Sequence, residues 1–317
     1  MPPEAPAILP SGRDGGAIPG AVGKAAFTLF AREPSSIPVL LSVPHAGQVY
    51  PASLTDALRA PRQAAMRLED RLADRLGHAV AAATGAHLLV AHAPRAMIDL
   101  NRAPEEIDWD MVPANERPSG DRPSPNRRTR GGLGLVPRRV SGLGELWKRP
   151  LRAREIEARI AQVHVPYHEA LAASLSGLRG RWGAALLVDL HSMPPIAPAG
   201  TSEAAEIVIG DRFGSTCEGS LTAVAFAVLA RRAVPAAHNR PYAGGYTLER
   251  HSDRPAGMHA MQLEIDRSAY LDDRLRETGT GFDRTVETLV ALIRQLGAET
   301  ASLGRAGRSG AWPEAAQ

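Results

Sequence analysis

Short apolar runs of strand length recur along the chain and are separated by stretches of helical periodicity. The runs occupy residues 37–44, 86–91, 95–100, 184–190, 206–210 and 259–265. Most are continuously apolar rather than alternating, and this pattern predicts strands that are buried on both faces of a sheet.

Three helices are predicted between and after these strands. Leucine and valine recur at four-residue steps over 68–80, and apolar residues keep a helical spacing over 156–178, where Pro166 predicts a kink or a break. A third amphipathic pattern covers 282–296. Strands that alternate with helices predict an α/β protein, a three-layer α/β/α sandwich with helices on both faces of the sheet.

The pattern is lost in three segments. Residues 1–24 and 301–317 are rich in small residues and aperiodic, so we expect flexible tails there. Residues 112–144 are rich in arginine, proline and glycine and have no apolar period. A loop of this length inside a compact domain is commonly functional or disordered. We therefore expect one domain over 25–300 that contains this irregular loop.

Composition restricts the class of protein. The chain has 317 residues, of which 44% are hydrophobic, and this is enough for a substantial core. Basic residues outnumber acidic ones by only 37 to 34, so the net charge of +3 does not by itself indicate a nucleic-acid partner. The single cysteine, Cys217, excludes a disulfide framework and fits a reducing compartment.

The N-terminal segment also lacks the basic and apolar regions of a signal peptide. No apolar run approaches the roughly 18 residues that a membrane span needs. We expect a cytoplasmic protein with neither a membrane nor a nucleic-acid partner. Its oligomeric state stays open.

Two histidines stand just past predicted buried strands. His45 follows "IPVLLSVP" and His191 follows "AALLVDL", each with glycine or proline turn signals behind it. Ligands of open α/β sheets bind outside the carboxyl ends of the strands. One such histidine would be read as an ordinary loop residue, but two in matching positions favour a shared site. Asp189 lies two residues before His191 on the same side and could orient an imidazole.

A catalytic metal site with two histidines needs a third ligand, most often a carboxylate. The segment "MRLEDRLADRL" offers Asp70 and Asp74, which lie four residues apart and would share one face of a helix. Arg67 and Arg71 each precede one of these acids by three residues, so a solvated ion-paired face is an equally good interpretation.

Further polar residues interrupt apolar strands. Glu264 and Gln262 share one face of the last predicted strand, which indicates either a polar cavity or an edge strand with one wet face. Asp99, Asn101 and Arg102 come at the end of another predicted strand. Arg102 could hold a substrate carboxylate or polarise a carbonyl, or it could form an ordinary ion pair at a turn.

The segment 238–252 contains two glycines, two tyrosines and a proline. Gly244 allows a close approach of the backbone, and Asn239 and Tyr242 supply hydrogen-bonding groups. We expect a substrate-binding loop here, although a hairpin has a similar composition.

The motifs "SVPHAG", "LEDRLAD", "RAMIDLNRAPEEID", "PYHEAL", "LVDLHSMPP", "NRPYAGGYTLERHS" and "HAMQLEIDRSAYLD" occur in one order along the chain. Together they closely resemble the N-formylglutamate amidohydrolase family over roughly residues 37 to 275. The family is similar to zinc carboxypeptidases and aspartoacylases. The resemblance implies a zinc-carboxypeptidase-like sandwich with a mixed, mostly parallel sheet.

The resemblance also implies site residues. Zinc would be held by His45, His191 and an acidic residue of "LEDRLAD", with Glu264 as general base. Asn101 and Arg102 match a "DLNR" motif that aspartoacylases share. Carboxypeptidase-like sites usually carry a glutamate three residues after the first histidine, where this chain has Gln48.

The acidic ligand must therefore come from elsewhere. The resemblance to the family implies an aspartate at the position of Asp70, so we favour Asp70, with Glu69 second.

We expect a zinc-dependent amidohydrolase that cleaves the amide of a small N-acyl amino acid. The favoured reaction is hydrolysis of N-formyl-L-glutamate to L-glutamate and formate. A peptidase or another amidase on the same scaffold is the alternative enzyme, and a non-catalytic ligand-binding relative is the alternative of a different class. A nucleic-acid binder has the least support, because only the arginine cluster of Arg127, Arg128 and Arg130 favours it.

Overall fold

The computed structural model describes residues 9–118, 126–196 and 204–309. Its strands are β1 (Arg13–Gly15), β2 (Phe27–Phe30), β3 (Val39–Val43), β4 (His87–Ala91), β5 (Arg139–Val140), β6 (Gly144–Glu145), β7 (Ala185–Met193), β8 (Ile207–Gly210), β9 (Ala236–His238) and β10 (Met258–Asp266). Its helices are α1 (Ala52–Ala57), α2 (Pro61–Leu68), α3 (Ala73–Thr84), α4 (Arg127–Arg130), α5 (Ala153–Arg159), α6 (Val165–Trp182), α7 (Gly219–Arg231), α8 (Tyr246–His251) and α9 (Phe282–Ser309).

Eight strands form one mixed sheet in the order β1-β2-β4-β3-β7-β10-β8-β9, and β5 pairs with β6 in a separate hairpin. The four central strands β4, β3, β7 and β10 run parallel to one another. The pairs β1–β2, β2–β4 and β10–β8 are antiparallel, and β9 runs parallel to β8. The predicted α/β class with a mixed, mostly parallel sheet is confirmed. Parallel central strands bring several carboxyl ends to one edge of the sheet.

Helices cover both faces of this sheet. On one face α6 packs through Leu171, Leu175 and Leu178 against alternate strand residues such as Leu40 and Leu187. On the other face α3, α7 and α9 cover the intervening strand residues, which belong to a second buried cluster. The central strands are therefore buried on both faces, as their mostly apolar runs predicted.

The helix predicted over 68–80 is wrong, because it is two helices with a break at 69–72. The backbone N–H of Asp70 donates to the carbonyl of His45 at 2.9 Å, and Leu72 has a left-handed φ of 57°. That hydrogen bond replaces a helical one, so Asp70 lies in the break. Asp70 and Asp74 consequently do not share a helix face.

The strand predicted over 95–100 is also wrong. Met97 N–H donates to Pro94 O at 2.8 Å and Asp99 N–H donates to Leu135 O at 2.7 Å, so the segment is a series of turns. Ala96, Ile98 and their apolar neighbours are buried in the core. Burial without a sheet neighbour produces the same apolar pattern as a strand.

Pro166 does not break the helix over 156–178. A π-helical turn, Ile160–His164, connects α5 to α6 directly. Pro166 lacks the N–H that would bond the carbonyl of Gln162, and that carbonyl instead accepts the N–H of Ala17 at 2.9 Å. The wider turn and this outside donor keep the helix continuous.

Parts of the two segments expected to be flexible tails, 1–24 and 301–317, have secondary structure in the described residues. Within 1–24 lies β1, which pairs antiparallel with β2, and Ile18 is buried at 3% exposure. Helix α9 extends to Ser309. The sequence did not predict β1, because an edge strand of three residues is too short to show a hydrophobic period. Residues 1–8 and 310–317 lie outside the described residues, and so do 119–125 of the loop 112–144.

Candidate metal centre

Polar side chains at the carboxyl ends of three parallel strands share the α6 face of the sheet. Leu40, Leu187 and Ala260 mark that face in the core. Positions two and four residues further along place Ser42, Asp189, His191, Gln262 and Glu264 on the same face. The register sets Ser42 beside Asp189 and His191 beside Glu264.

Three buried ligand atoms converge at this edge. His45 Nδ1 lies 3.1 Å from His191 Nδ1, and Asp70 Oδ2 lies 3.5 Å from the first and 3.1 Å from the second. A tetrahedral ion with bonds of about 2.0–2.1 Å sets neighbouring ligand atoms about 3.4 Å apart. The three side chains are 2–3% exposed and could together hold a metal ion.

Carboxylates fix which imidazole nitrogen faces this triangle. His45 Nε2 donates to Asp99 Oδ1 and His191 Nε2 donates to Asp189 Oδ2, each at 2.8 Å. When the Nε2–H of a neutral imidazole donates to a carboxylate, its Nδ1 presents a lone pair, so both Nδ1 atoms are placed to bind a metal ion. Three ligand atoms within 3.5 Å of one another repel unless a proton or a metal ion lies between them. The donor set therefore fits a divalent metal.

Both orienting carboxylates are themselves held. Asp189 Oδ1 accepts the Ser42 hydroxyl at 2.7 Å. Asp99 accepts Arg95 Nε at 2.9 Å and the Asn101 N–H at 2.9 Å. Burial alone would raise the pKa of Asp99, but the charges of Arg95 and His45 hold it well below its usual range. Asp99 is consequently an anion in the folded protein.

Asp70, rather than Glu69, is the acid that joins the two histidines. Asp70 Oδ1 faces Ser192 Oγ at 3.3 Å and Arg267 Nη2 at 3.4 Å, which leaves Oδ2 for the triangle. Burial raises its pKa, but hydrogen bonds with His191 and His45 lower it well below the usual range. Glu69 instead faces Arg71, whose Nη1 lies 3.8 Å from Glu69 Oε2.

Glu264 adjoins the triangle without belonging to it. Gln262 Nε2 donates to Glu264 Oε1 at 2.9 Å, and Asn101 Nδ2 donates to Gln262 Oε1 at 3.2 Å. Strand β10 has a neighbour on each side, so the edge-strand interpretation of its polar face is wrong. Burial raises the pKa of Glu264 to about 7, with the charge of His191 opposing the shift.

A cavity of about 330 Å³ opens onto the triangle. Its lining includes the predicted residues His45, Asp70, Asn101, Arg102, His191, Tyr242, Gly244 and Glu264, together with arginines that the sequence analysis did not assign to the site, Arg67, Arg95, Arg128 and Arg267. Gly244 has φ 104°, and an added Cβ would lie 2.5 Å from Leu248. The predicted carboxyl-end residues are therefore brought together around one small cavity.

Asn239 is the predicted substrate-binding residue that the structure does not place in this lining. Its Nδ2 donates to Asp211 Oδ1 at 2.8 Å and its Oδ1 accepts the Asp211 N–H at 3.0 Å. It has a left-handed φ of 60°, which asparagine tolerates well. Asn239 thus fixes the start of the loop that carries Tyr242 and Gly244.

A family model for N-formylglutamate amidohydrolase matches residues 37–271. The chain belongs to the N-formylglutamate amidohydrolase family. The match covers strands β3 to β10 and every residue of the triangle and of the cavity lining, Glu264 included. As an amidohydrolase the chain is an enzyme that hydrolyses amide bonds.

Individual relatives agree with the family model. An N-formylglutamate deformylase of Pseudomonas aeruginosa is 30% identical over 75% of this chain and 84% of its own length. The N-formylglutamate deformylase of Pseudomonas putida is 29% identical over 75% and 83%.

Two solved structures share the fold. A crystal structure of N-formylglutamate amidohydrolase from Ralstonia eutropha JMP134 has a TM-score of 0.77 at 30% identity, over 90% of this chain and 99% of that one. A protein of Agrobacterium tumefaciens, 17% identical over 88% and 95%, shares the fold with a TM-score of 0.59.

Behind the amidohydrolase site, three histidines hold the backbone that carries Asn101 and Arg102. His164 Nε2 donates to the carbonyl of Arg102 at 2.9 Å and His168 Nε2 donates to that of Leu100 at 3.0 Å. His251 Nε2 in turn lies 2.9 Å from His168 Nδ1. The sequence did not predict this role. The sequence feature that could have indicated it is His168 of the motif "PYHEAL", a histidine on the buried face of a helix.

Acid should destabilise the protein through His251. Burial and the charge of Arg250 lower its pKa to about 4, whereas an unfolded imidazole titrates near about 6.5. Between these values the unfolded chain binds a proton that the folded chain does not, so the free energy of unfolding falls as the pH falls.

His251→Gln keeps an amide donor and does not titrate. Between about pH 7.5 and about pH 5 it should lose about 2 kcal/mol less stability than the wild type, measured by urea unfolding of both proteins in chelator. Equal losses would show that His251 is not the titrating group.

No helix in the described part of the chain combines the length and the apolar character needed to cross a bilayer.

Proposed function

We propose that the chain is a zinc-dependent deformylase that converts N-formyl-L-glutamate and water to L-glutamate and formate. The observation that carries the proposal is the buried triangle of His45, Asp70 and His191 opening onto a cavity of about 330 Å³ that is rich in arginine. Such a cavity is at the small end of ligand sites and suits a compact anionic substrate. Both Pseudomonas relatives carry the matching name.

His45, Asp70 and His191 would hold the zinc. Two imidazole nitrogens and one carboxylate oxygen are a usual donor set for catalytic zinc, in which a fourth position stays open. When bound, zinc supplies a Lewis acid that polarises the formyl carbonyl and makes water more acidic. Asp99 and Asp189 orient the two imidazoles and raise their basicity.

Glu264 would be the general base. It removes a proton from the attacking water and delivers it to the leaving nitrogen, while the amide C–N bond breaks and the water oxygen stays with formate. As a carboxylate, Glu264 accepts the proton of the water, and as a carboxylic acid it gives that proton up again within the same turnover. The amide of Gln262 fixes the position of Glu264 Oε1.

Arg102 and Asn101 would bind the substrate beside the scissile amide. Arg102 Nε is buried and has no hydrogen-bond partner among the residues the structure describes, so a carboxylate or a developing oxyanion would satisfy it. Tyr242 lines the same cavity, and burial together with the charge of Glu264 raises its pKa. Its hydroxyl therefore stays protonated and can donate to the substrate.

A panel of N-acyl amino acids tests the proposal. Purified protein with one equivalent of zinc should release formate and amine from N-formyl-L-glutamate. It should release much less from N-acetyl-L-glutamate and from N-formyl-L-leucine, whose extra bulk or missing carboxylate suits the cavity poorly. Rapid hydrolysis of dipeptides with none of N-formyl-L-glutamate would favour a peptidase. Binding without hydrolysis in the whole panel would favour a non-catalytic relative.

A further inference from the structure

Five arginines line the cavity at the metal centre, and three are paired with acids. The pairs, at 2.9, 3.7 and 3.4 Å, are Arg95 with Asp99, Arg102 with Glu106, and Arg267 with Asp70. Arg67 and Arg128 are exposed and have no acidic partner among residues 9–118, 126–196 and 204–309. The lining therefore offers positive charge that the described residues do not neutralise.

Arg128 also lines a second, outer cavity of about 700 Å³. The two cavities share Arg102, Arg128 and Gly244, so these residues stand where the inner cavity meets the outer one. Arg67 lines the inner cavity but not the outer one. For a substrate whose amide lies at the triangle, this junction is a place in the lining where a carboxylate would meet two arginines, Arg102 and Arg128.

Arg102 supplies independent evidence for an anion at the junction. The residue is 7% exposed, and its buried Nε lacks a hydrogen-bond partner in the described part of the chain, since the nearest oxygen of Asp99 lies 3.8 Å away. Burial is the main cause that lowers the pKa of Arg102, and the charge of Arg128 lowers it further. A carboxylate between the two guanidinium groups would offset both the burial of the Arg102 charge and its repulsion by the charge of Arg128.

Arg128 is presented by an anchored turn. Thr129 is buried at 1% exposure, and its N–H donates to Asn126 Oδ1 at 2.9 Å. Asn126 Nδ2 donates to Glu106 Oε2 at 2.6 Å, and Glu106 also faces Arg102. Helix α4 is thus tied to the segment that carries Arg102, although the sequence marked its arginines only as a basic cluster.

We propose that Arg128 determines substrate specificity by binding the side-chain carboxylate of an acidic N-formyl amino acid at the junction of the two cavities. The inference rests on the proposed function and assigns its preference for a dicarboxylate to a residue of the loop 112–144. A charged hydrogen bond to a carboxylate is worth about 10- to 100-fold in binding.

Kinetics with two nearly isosteric substrates test the assignment. The ratio of kcat/KM for N-formyl-L-glutamate to that for N-formyl-L-glutamine should fall about 10- to 100-fold in Arg128→Gln, mainly through KM for the acidic substrate. Arg128→Lys should restore part of the ratio, because it keeps the charge but loses the bidentate geometry.

Two matched variants serve as controls. Arg130 is exposed on the same short helix and lines neither cavity, so Arg130→Gln should leave the ratio unchanged. Arg67→Gln removes the other cavity arginine without an acidic partner. A collapse of the ratio in Arg67→Gln with no change in Arg128→Gln would overturn the assignment, and so would equal losses on both substrates in Arg128→Gln.

Glutarate binding separates this inference from the proposed function, because glutarate has two carboxylates and no scissile amide. Calorimetry on zinc-loaded protein should show a dissociation constant about 10-fold or more higher in Arg128→Gln than in the wild type. That result with a wild type that hydrolyses no N-formyl amino acid would reject the function and keep the anion site. Unchanged glutarate binding in an active enzyme would reject the site and keep the function.

Discussion

Glu264→Gln is expected to fold, bind zinc and lose turnover. The amide cannot take a proton from water, and loss of a general base typically lowers the rate about 10²- to 10⁴-fold. Since the interaction belongs to the transition state, kcat should fall while KM changes little. The measurement is formate release from N-formyl-L-glutamate, with zinc content and thermal stability recorded on the same samples.

Gln262→Glu is not a suitable control for this experiment, because it would add a charge beside Glu264. Gln262→Met keeps the volume and removes only the amide that positions Glu264 Oε1, so it should give a smaller loss of kcat. If Glu264→Gln turned over at nearly the wild-type rate, Glu264 would not be the base. If it lost zinc together with activity, Glu264 would be a ligand.

His45→Ala and His191→Ala are each expected to lose the metal. Either change removes one of the three proposed protein ligands and leaves a buried carboxylate, Asp99 or Asp189, without its imidazole partner. Zinc content after dialysis against a weak chelator should fall from one equivalent to a small fraction. Full loading of both variants would contradict the ligand set.

Asp70→Asn and Glu69→Gln form a matched pair for the acidic ligand. Both residues are buried, both changes neutralise one carboxylate, and only Asp70 has an oxygen in the triangle. Asp70→Asn should therefore weaken zinc binding far more than Glu69→Gln, measured by competition with a chromogenic chelator. The reverse ranking would move the ligand to Glu69.

The sequence predicted the elements whose signal is local. Continuous apolar runs located β3, β4, β7, β8 and β10, because strands covered on both faces need apolar side chains at every position. His191 was expected just past β7 and in fact lies within its last three residues, so it is still at the carboxyl end of the strand. The convergence of His45 and His191 followed from their equivalent places at parallel strand ends.

What the sequence could not supply depends on long-range contacts. Asp70 reaches the histidines because its backbone N–H donates to the carbonyl of His45 and not to a carbonyl within a helix. No local sequence pattern predicts that hydrogen bond. The turns over 95–100 and the packing of Asn239 against Asp211 have the same cause. Arg67, Arg95, Arg128 and Arg267 come from four distant segments, so only the folded chain reveals them as one lining.

The central claim is that one zinc ion sits between two Nδ1 atoms and one carboxylate oxygen. Anomalous diffraction from crystals of the zinc-loaded protein, collected on both sides of the zinc absorption edge, tests it directly. We expect a single strong peak about 2.0–2.2 Å from His45 Nδ1, His191 Nδ1 and Asp70 Oδ2, with Glu264 outside bonding distance. A peak bonded through the Nε2 atoms, or located away from these three side chains, would contradict the account.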